Sequence, residues 1–393
     1  MSKYEEMNPK FVQALKESIY VDDLIGGGSD VNKTYELYQS TKECLKEGGF
    51  EMHKWKSNSD ELMKKIEQNE SKEVSKLEEL TNNGKTGREM FERDKVLGIV
   101  WDTQKDTLHY ELMDIVNTAE ALVPTKRNVL RVLSGIFDPL GVMSPIIVTA
   151  KILLQEICET KYGWDDELNG KLKQKWLDWI KGLGKVAEIT FGRSLFTHEL
   201  GEVFNCELHG FADSSKQAYC AVVYLRYTQS SGVYTSMVTS RTRVAPLKRL
   251  TIPRLELMGA KILTTLCDTV KKALVNQLEI NSTTLWLDSM TALIWIDNKG
   301  EWKQFVKHRV DEILKTTTSN QWRHCPTHCN PADVGTRGVE AVKFSNSQLW
   351  WKGPSWLRED KSRWPAKQKT SATEDSEEEK VKKVVTLVEV GEK

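Results

Sequence analysis

The chain has no net charge: 56 acidic residues cancel 56 basic ones across its 393 positions. Overall charge therefore gives no sign of a preference for polyanions, and any such preference must come from how the charges are distributed. There is no signal-peptide-like start and no apolar run of membrane-spanning length, so no membrane association is expected and an intracellular, cytoplasmic setting is implied. Cysteine is sparse and odd in number, with seven at positions 44, 158, 206, 220, 267, 325 and 329. Such scatter argues against a disulfide framework and for a reducing compartment. His324-Cys325-Pro326-Thr327-His328-Cys329 has zinc-ligand residue types. Ligands packed that tightly do not all face one ion, and no second pair follows at finger spacing, so this stretch reads as a loop.

A local absence says more. From Ser214 to Leu255 there is no Asp or Glu, yet Lys216, Arg226, Arg241, Arg243, Lys248, Arg249 and Arg254 all fall there. A run of this kind is either a solvated basic face or a surface for a polyanion. The acids around it favour the second. Asp213 ends an apolar, strand-like run, Cys206 to Ala212, and Asp288 ends another, Thr284 to Leu287. Glu256 lies in the first turns of a helix opened by Pro253, and Asp333 follows an Asn-Pro turn. Four carboxylates converging from separate elements make a hard-oxygen cage suited to two divalent cations, Mg2+ or Mn2+. A pair of such ions can clamp both oxygens of a phosphodiester displacement.

Around these acids the pattern is strand, strand, strand, helix, strand, helix, helix, strand, which suggests a mixed sheet with helices on its faces. The strands are Cys206 to Ala212, Tyr219 to Tyr227, Gly232 to Val244, Thr283 to Leu287 and Gln321 to Cys325. The helices are Ile252 to Leu274, Thr291 to Ile296 and Phe305 to Thr316.

Nearer the start, Tyr20-Val21-Asp22-Asp23 sits between apolar flanks and predicts a tight hairpin presenting Asp22 and Asp23 outward, as candidate metal ligands. A Gly-Gly-Phe-Glu-Met-His-Lys-Trp segment containing Lys54 and Trp55 follows. Ser59 to Lys95 is helix-forming and charge-dense, a surface helix or a mobile insertion. Val96 to Asp102 and the run through Leu108, Tyr110 and Leu112 read as two strands joined by a turn. Helices are expected after Pro124 and from Met143 to about Cys158, with Asp165 and Asp166 as a cap rather than metal ligands.

The order of these motifs, from Tyr-Val-Asp-Asp through Phe-Asp-Pro-Leu-Gly, Trp-Asp-Asp-Glu-Leu, Phe-Ala-Asp-Ser-Ser, Pro-Arg-Leu-Glu-Leu and Leu-Asp-Ser to Asn-Pro-Ala-Asp-Val-Gly-Thr-Arg-Gly, resembles the polyprotein of Bel/Pao-type long-terminal-repeat retrotransposons over about residues 18 to 357. The resemblance implies an α+β and α/β multidomain chain. Residues 1–123 would be the C-terminal part of a reverse transcriptase palm and thumb, and 124–200 a helical connection. Residues 201–345 would be a ribonuclease H-like domain, and 346–393 a Trp-rich linker with a disordered charged tail. It further implies cleavage of RNA in RNA·DNA hybrids, with Asp213 shared by both ions, Glu256 and Asp288 on the leaving-group side and Asp333 on the water side. His328 would be a loop histidine that aids product release. Lys54, Trp55, Arg241, Arg243, Lys248 and Arg249 would contact nucleic acid. The remainder of a polyprotein becomes an expected partner, and virus-like particles an expected location. Only 19 residues precede Tyr20, so the family's further palm aspartate is missing and no polymerisation is expected from this chain unaided. The competing expectation is a catalytically silent nucleic-acid-binding relic.

Overall fold

The computed structural model describes residues 6, 8–20, 23–28, 30–78, 95–96, 98–187, 189–196, 202–297, 300–368 and 378. The expectations for Asp22, for residues 79–94 and for most of the charged tail lie outside the described residues. The chain divides into two compact units, Met1–Tyr110 with Thr190–Arg193, and Glu111–Ile189 with Ser194–Lys393.

In the first unit, α1 (Pro9–Ser18) starts at Asn8, whose side chain accepts a hydrogen bond from Phe11 N at 3.1 Å. β1 (Ile19–Tyr20) and β2 (Asp23–Leu24) then pair antiparallel, with Tyr20 opposite Asp23. Cys44 on α2 (Val31–Glu47) packs against Phe11, Val12 and Leu15. α3 (Asp60–Glu78) is more than a surface helix, because Leu62 and Ile66 are buried in a cluster with Tyr38. A four-stranded antiparallel sheet follows: β3 (Lys95–Val96), β4 (Ile99–Asp102), β5 (Thr107–Tyr110) and, from much later in the chain, β6 (Thr190–Gly192). The β4–β5 turn places Asp106 at φ 51°, where its carboxylate accepts from Trp101 Nε1 at 3.0 Å and Arg193 Nη2 at 2.9 Å.

The second unit opens with α4 (Met113–Ala121), α5 (Lys126–Gly135), α6 (Ser144–Glu159) and α7 (Gly170–Val186). Its sheet comprises β7 (Val203–Ser214), β8 (Ala218–Gln229), β9 (Gly232–Val244), β10 (Ser282–Leu287) and β11 (Trp322–His324), in the order β11-β10-β7-β8-β9. β7, β8 and β9 are antiparallel neighbours, whereas β10 runs parallel to both β7 and β11. α8 (Ile252–Leu274) and α10 (Gln304–Leu314) cover one face through Leu255, Leu263, Val306 and Ile313, and α9 (Met290–Asp297) adds Leu293 and Ile296. Gly210 lets α8 approach: a Cβ there would lie 2.5 Å from Leu263 Cδ1.

The helices before the sheet fall in the same compact unit as the sheet rather than in a unit of their own. The Phe-Asp-Pro-Leu-Gly turn shows why. Gly141 has φ +69°, and a Cβ on it would fall 1.9 Å from Ser240 O on β9. Ser240 N donates to Leu140 O at 2.9 Å, and Asp138 Oδ2 accepts from Met143 N at 2.9 Å to start α6. Val148 and Ile152 of α6 then bury against Ala218 of β8.

The Trp-rich segment is also not a linker. Past residue 345 it lies on the second face of the sheet, where Phe211, Tyr224 and Trp286 are 0% exposed. Trp350, Trp356 and Trp364 are buried there too, and Trp356 lies 4.8 Å from Trp286, ring to ring. Main-chain carbonyls of this segment accept from Tyr224 Oη (Trp350 O, 2.6 Å), Arg226 Nε (Leu357 O, 2.8 Å) and Thr235 Oγ1 (Lys352 O, 2.6 Å). Buried Glu207 pairs with Arg226 at 2.7 Å and Lys361 at 2.5 Å. Burial alone would raise its pKa, but hydrogen bonds to His209 and Lys361 and the Arg226 charge hold it well below the usual carboxylate range. At about 1.5–3 kcal/mol per large apolar side chain buried, several such rings form an indispensable layer. A chain ending at residue 345 should therefore aggregate or bind a hydrophobic dye strongly, whereas one ending at 368 should melt within a few degrees of the full chain. Equal melting of the two would show that the Trp layer is dispensable.

Candidate metal centre and nucleic-acid surface

The parallel pairing of β10 with β7 sets Leu287 beside Ala212, so Asp288 emerges next to Asp213. Asp213 is 3% exposed near the end of β7. Glu256, also 3% exposed, reaches the same point from the start of α8, on the opposite face from α11 (Pro331–Arg337). Oxygens of Asp213, Glu256 and Asp288 all lie within 4.8 Å of one another. Asp333, in the first turn of α11, stands outside that group and accepts from Arg337 Nε at 2.5 Å.

Several residues that the motifs contained but the sequence reading assigned no part hold this arrangement. Thr336, 1% exposed, donates to Asp213 Oδ2 at 2.6 Å. Ser214 donates to Glu256 Oε1 through its hydroxyl at 2.7 Å and its backbone N–H at 3.0 Å. The Thr327 side chain hydrogen-bonds Asp288. Fully buried Asn330 caps α11 by accepting from Ala332 N at 3.1 Å, and donates to Ala212 O at 2.8 Å, which fastens that helix to β7. The one available signal was the i to i+3 spacing of Asp333 and Thr336 on a short helix.

Crowding buried acids raises their proton affinity. Burial, then the charges of Asp288 and Asp333, push Asp213 up to about 7 against the opposing Thr336 bond. Burial, then Asp288 and Asp213, push Glu256 up to about 9. Burial first and Asp333 also raise Asp288. Two oxygens remain buried without any partner, Glu256 Oε2 and Asp288 Oδ1. Orphaned oxygens in a carboxylate-only donor set fit a hard divalent cation such as Mg2+ or Mn2+, which displaces the protons.

The other candidates spread more widely. Arg241 and Arg243 are exposed on β9, and Lys248 and Arg249 are exposed in the loop leading to α8. Ser214, Tyr219 and Arg243 are in register across β7, β8 and β9, so Arg243 lies two strand spacings from the acid-bearing end of β7, roughly 10 Å. Arg254 is engaged elsewhere, over the Phe305 ring and paired with Glu378 at 2.7 Å. His328 is exposed on the turn Thr327–Cys329, while Cys325 is buried and Cys325 N donates to Leu287 O at 2.7 Å. Lys54 and Trp55 belong to the first unit. There Lys54 is exposed at φ 61°, and Trp55 is half-buried 4.7 Å from Tyr38, part of that unit's core. Asp23 is exposed in β2.

A five-stranded mixed sheet of this order, with acids converging on the ends of β7 and β10, is a ribonuclease H-like fold. Residues 125–289 match the family described as Pao retrotransposon-like RNaseH-like domain, a span that starts at the cap of α5 and runs past Asp288. That stretch, from the helices before the sheet to the end of β10, is therefore similar to Pao-type retrotransposon sequence. No curated protein matches it. Among solved structures, the foamy viral protease-reverse transcriptase in complex with an RNA/DNA hybrid is similar at 10% identity and TM-score 0.36, over 60% of this chain and 29% of that one. The chain thus spans under a third of the length of that viral protein. Ribonuclease H1 of Halobacterium salinarum NRC-1 is similar at 12% identity and TM-score 0.23, over 33% and 91% of the two chains. The N-terminal ribonuclease H domain of Mycobacterium tuberculosis rv2228c is similar at 12% identity and TM-score 0.24, over 38% and 99%. Among the described residues no helix is long and apolar enough to cross a membrane.

The raised acids make stability depend on pH with a definite sign. Between the ordinary carboxylate range and the raised values, the folded chain holds protons that the unfolded chain has released, so folding loses stability as pH rises. In excess chelator the melting temperature should fall between pH 5 and pH 9, through the values of about 7 for Asp213 and about 9 for Glu256. Glu256→Gln should flatten that slope. A melting temperature that rises over this range in both proteins would contradict the assignment.

Proposed function

We propose that this chain is a metal-dependent endonuclease that cleaves the RNA strand of RNA·DNA hybrids. The observation that carries the reading is the pair of buried, partnerless oxygens, Glu256 Oε2 and Asp288 Oδ1, inside a group of acids no more than 4.8 Å apart. Such a group is stable only with protons or cations between its members. Asp213, Glu256 and Asp288, joined by Asp333, would hold two Mg2+ or Mn2+ ions. When bound, ions of this kind acidify water and neutralise charge on the phosphate and leaving oxygen. The chain itself needs no side-chain nucleophile. Asp213, between its neighbours, would serve both ions, Glu256 and Asp288 the leaving-group side, and Asp333 the water side.

Arg241, Arg243, Lys248 and Arg249 would grip the phosphate backbone, and His328 would help product leave. The RNA strand would be told from DNA by its 2′-hydroxyls across a shallow minor groove. The hairpin bearing Asp22 and Asp23, with Lys54 and Trp55, would belong to the palm of a polymerase that acts with the remainder of a retrotransposon polyprotein.

With Mg2+ or Mn2+, the full chain should cut the RNA of a hybrid to 3′-hydroxyl ends and spare single-stranded RNA and duplex DNA. Asp213→Asn should slow cutting at least about 100-fold, or about 2.7 kcal/mol of transition-state stabilisation. Asp165→Asn should leave the rate unchanged, because Asp165 is exposed and paired with Arg127 at 2.7 Å. Cutting that survives in Asp213→Asn or in chelator would overturn the metal reading. Hybrid binding without cutting by the wild type would favour the silent binding relic.

The basic surface has its own test. Replacing Arg241, Arg243 and Lys248 together by Ala should weaken hybrid binding and flatten its salt dependence, by about 0.9 log units for each phosphate that is no longer neutralised. An unchanged slope would make these residues a solvated face.

A further inference from the structure

The three gathered carboxylates share one feature: each has a hydroxyl-bearing residue on it. Thr336 Oγ1 donates to Asp213 Oδ2 at 2.6 Å, Ser214 Oγ to Glu256 Oε1 at 2.7 Å, and the Thr327 side chain hydrogen-bonds Asp288. The orphaned oxygens Glu256 Oε2 and Asp288 Oδ1 belong to two acids so held. The Thr336 hydroxyl could instead bond Asp333 O one helical turn back, as helical threonines commonly do. That contact is longer, 3.1 Å, and the single hydroxyl hydrogen belongs to the 2.6 Å contact.

We propose that Ser214, Thr327 and Thr336 are positioning residues of the metal centre, each fixing one carboxylate oxygen so that the other stays free for a cation. Unrestrained, three crowded carboxylates relieve their repulsion by rotating apart, and each must then be reoriented when a cation enters. A hydroxyl prevents the rotation and, being neutral, leaves the negative charge that attracts the ion intact. Asp333 is the contrast. Its partner is a cation, Arg337, and it lies outside the 4.8 Å group. Two of the three hydroxyls come from α11 and the turn just before it, and the Asn330 bond to Ala212 O fastens that segment to the strand bearing Asp213.

This inference rests on the metal-dependent reading, and the test separates the two. Mn2+ binding to the full chain is measured by calorimetry without nucleic acid, beside hybrid cleavage across a Mn2+ series. Thr336→Val keeps the side-chain shape and removes the hydroxyl. It should weaken Mn2+ binding about 10- to 100-fold, the usual range for groups that orient metal ligands. Cleavage should recover as Mn2+ is raised, and Thr336→Ser should restore affinity to near wild type. Ser214→Ala, at a partly exposed position, should show a smaller loss because the Ser214 N–H bond to Glu256 remains; it gives the answer should Thr336→Val fail to fold. If the wild type binds Mn2+ and the hydroxyl-free variants bind equally well, the positioning role is wrong and the nuclease reading stands. If the wild type binds no Mn2+, both fall. A rate abolished at every Mn2+ concentration, together with a lowered melting temperature and no rescue by serine, would mean that Thr336 is merely structural.

Discussion

Two buried carboxylates and a partly buried third, with oxygens within 4.8 Å of one another, repel, and much of the second unit can be understood as the frame that holds them there. Parallel pairing brings the carboxyl ends of β7 and β10 side by side, while the antiparallel β7–β8–β9 meander supports them. Glu256 then arrives from a helix on one face, and Thr336 from a helix on the other. Burial first, and then the neighbouring charges, raise the proton affinity of Asp213 and Glu256, so the cluster favours added positive charge. Under the proposed function, a divalent cation would meet that demand.

That frame needs both faces of the sheet covered. β7 and β8 are buried along most of their length, which an open antiparallel sheet does not require. One face is closed by α8 and α10, the other by α6, α11 and the Trp350–Trp364 segment, with the Glu207–Arg226 pair buried beneath it. The family match spans helices before the sheet as well as β7 to β10, and Gly141 sits directly against Ser240 of β9.

Much of this was legible in the sequence, and the part that was not has a common cause. Strand and helix limits from Val203 to His324 follow from alternation, from Pro253 at a helix start and from turns, all of them local signals. The four acids stood out because each closes its own local motif, although only three of them share the 4.8 Å group. The cover of the second face was missed because the partners of Trp350, Trp356 and Trp364 lie far back in the chain, at Phe211, Tyr224 and Trp286. β6 was missed for the same reason, since three residues gain strand character only by pairing with β5. Ser214 and Thr327 gave no signal and Thr336 only its spacing from Asp333: hydroxyl residues are common, and their partners become visible only once the chain is folded.

The most direct test of the metal centre is an anomalous difference map from crystals of the full chain grown with Mn2+. Two peaks roughly 3.5–4 Å apart are expected among Asp213, Glu256, Asp288 and Asp333, the spacing at which paired ions share ligands. Density for Glu256 Oε2 and Asp288 Oδ1 should turn towards those peaks, with Ser214 and Thr336 still on the opposite oxygens. A map without a peak at these acids, in crystals that bind Mn2+ elsewhere, would contradict the metal centre.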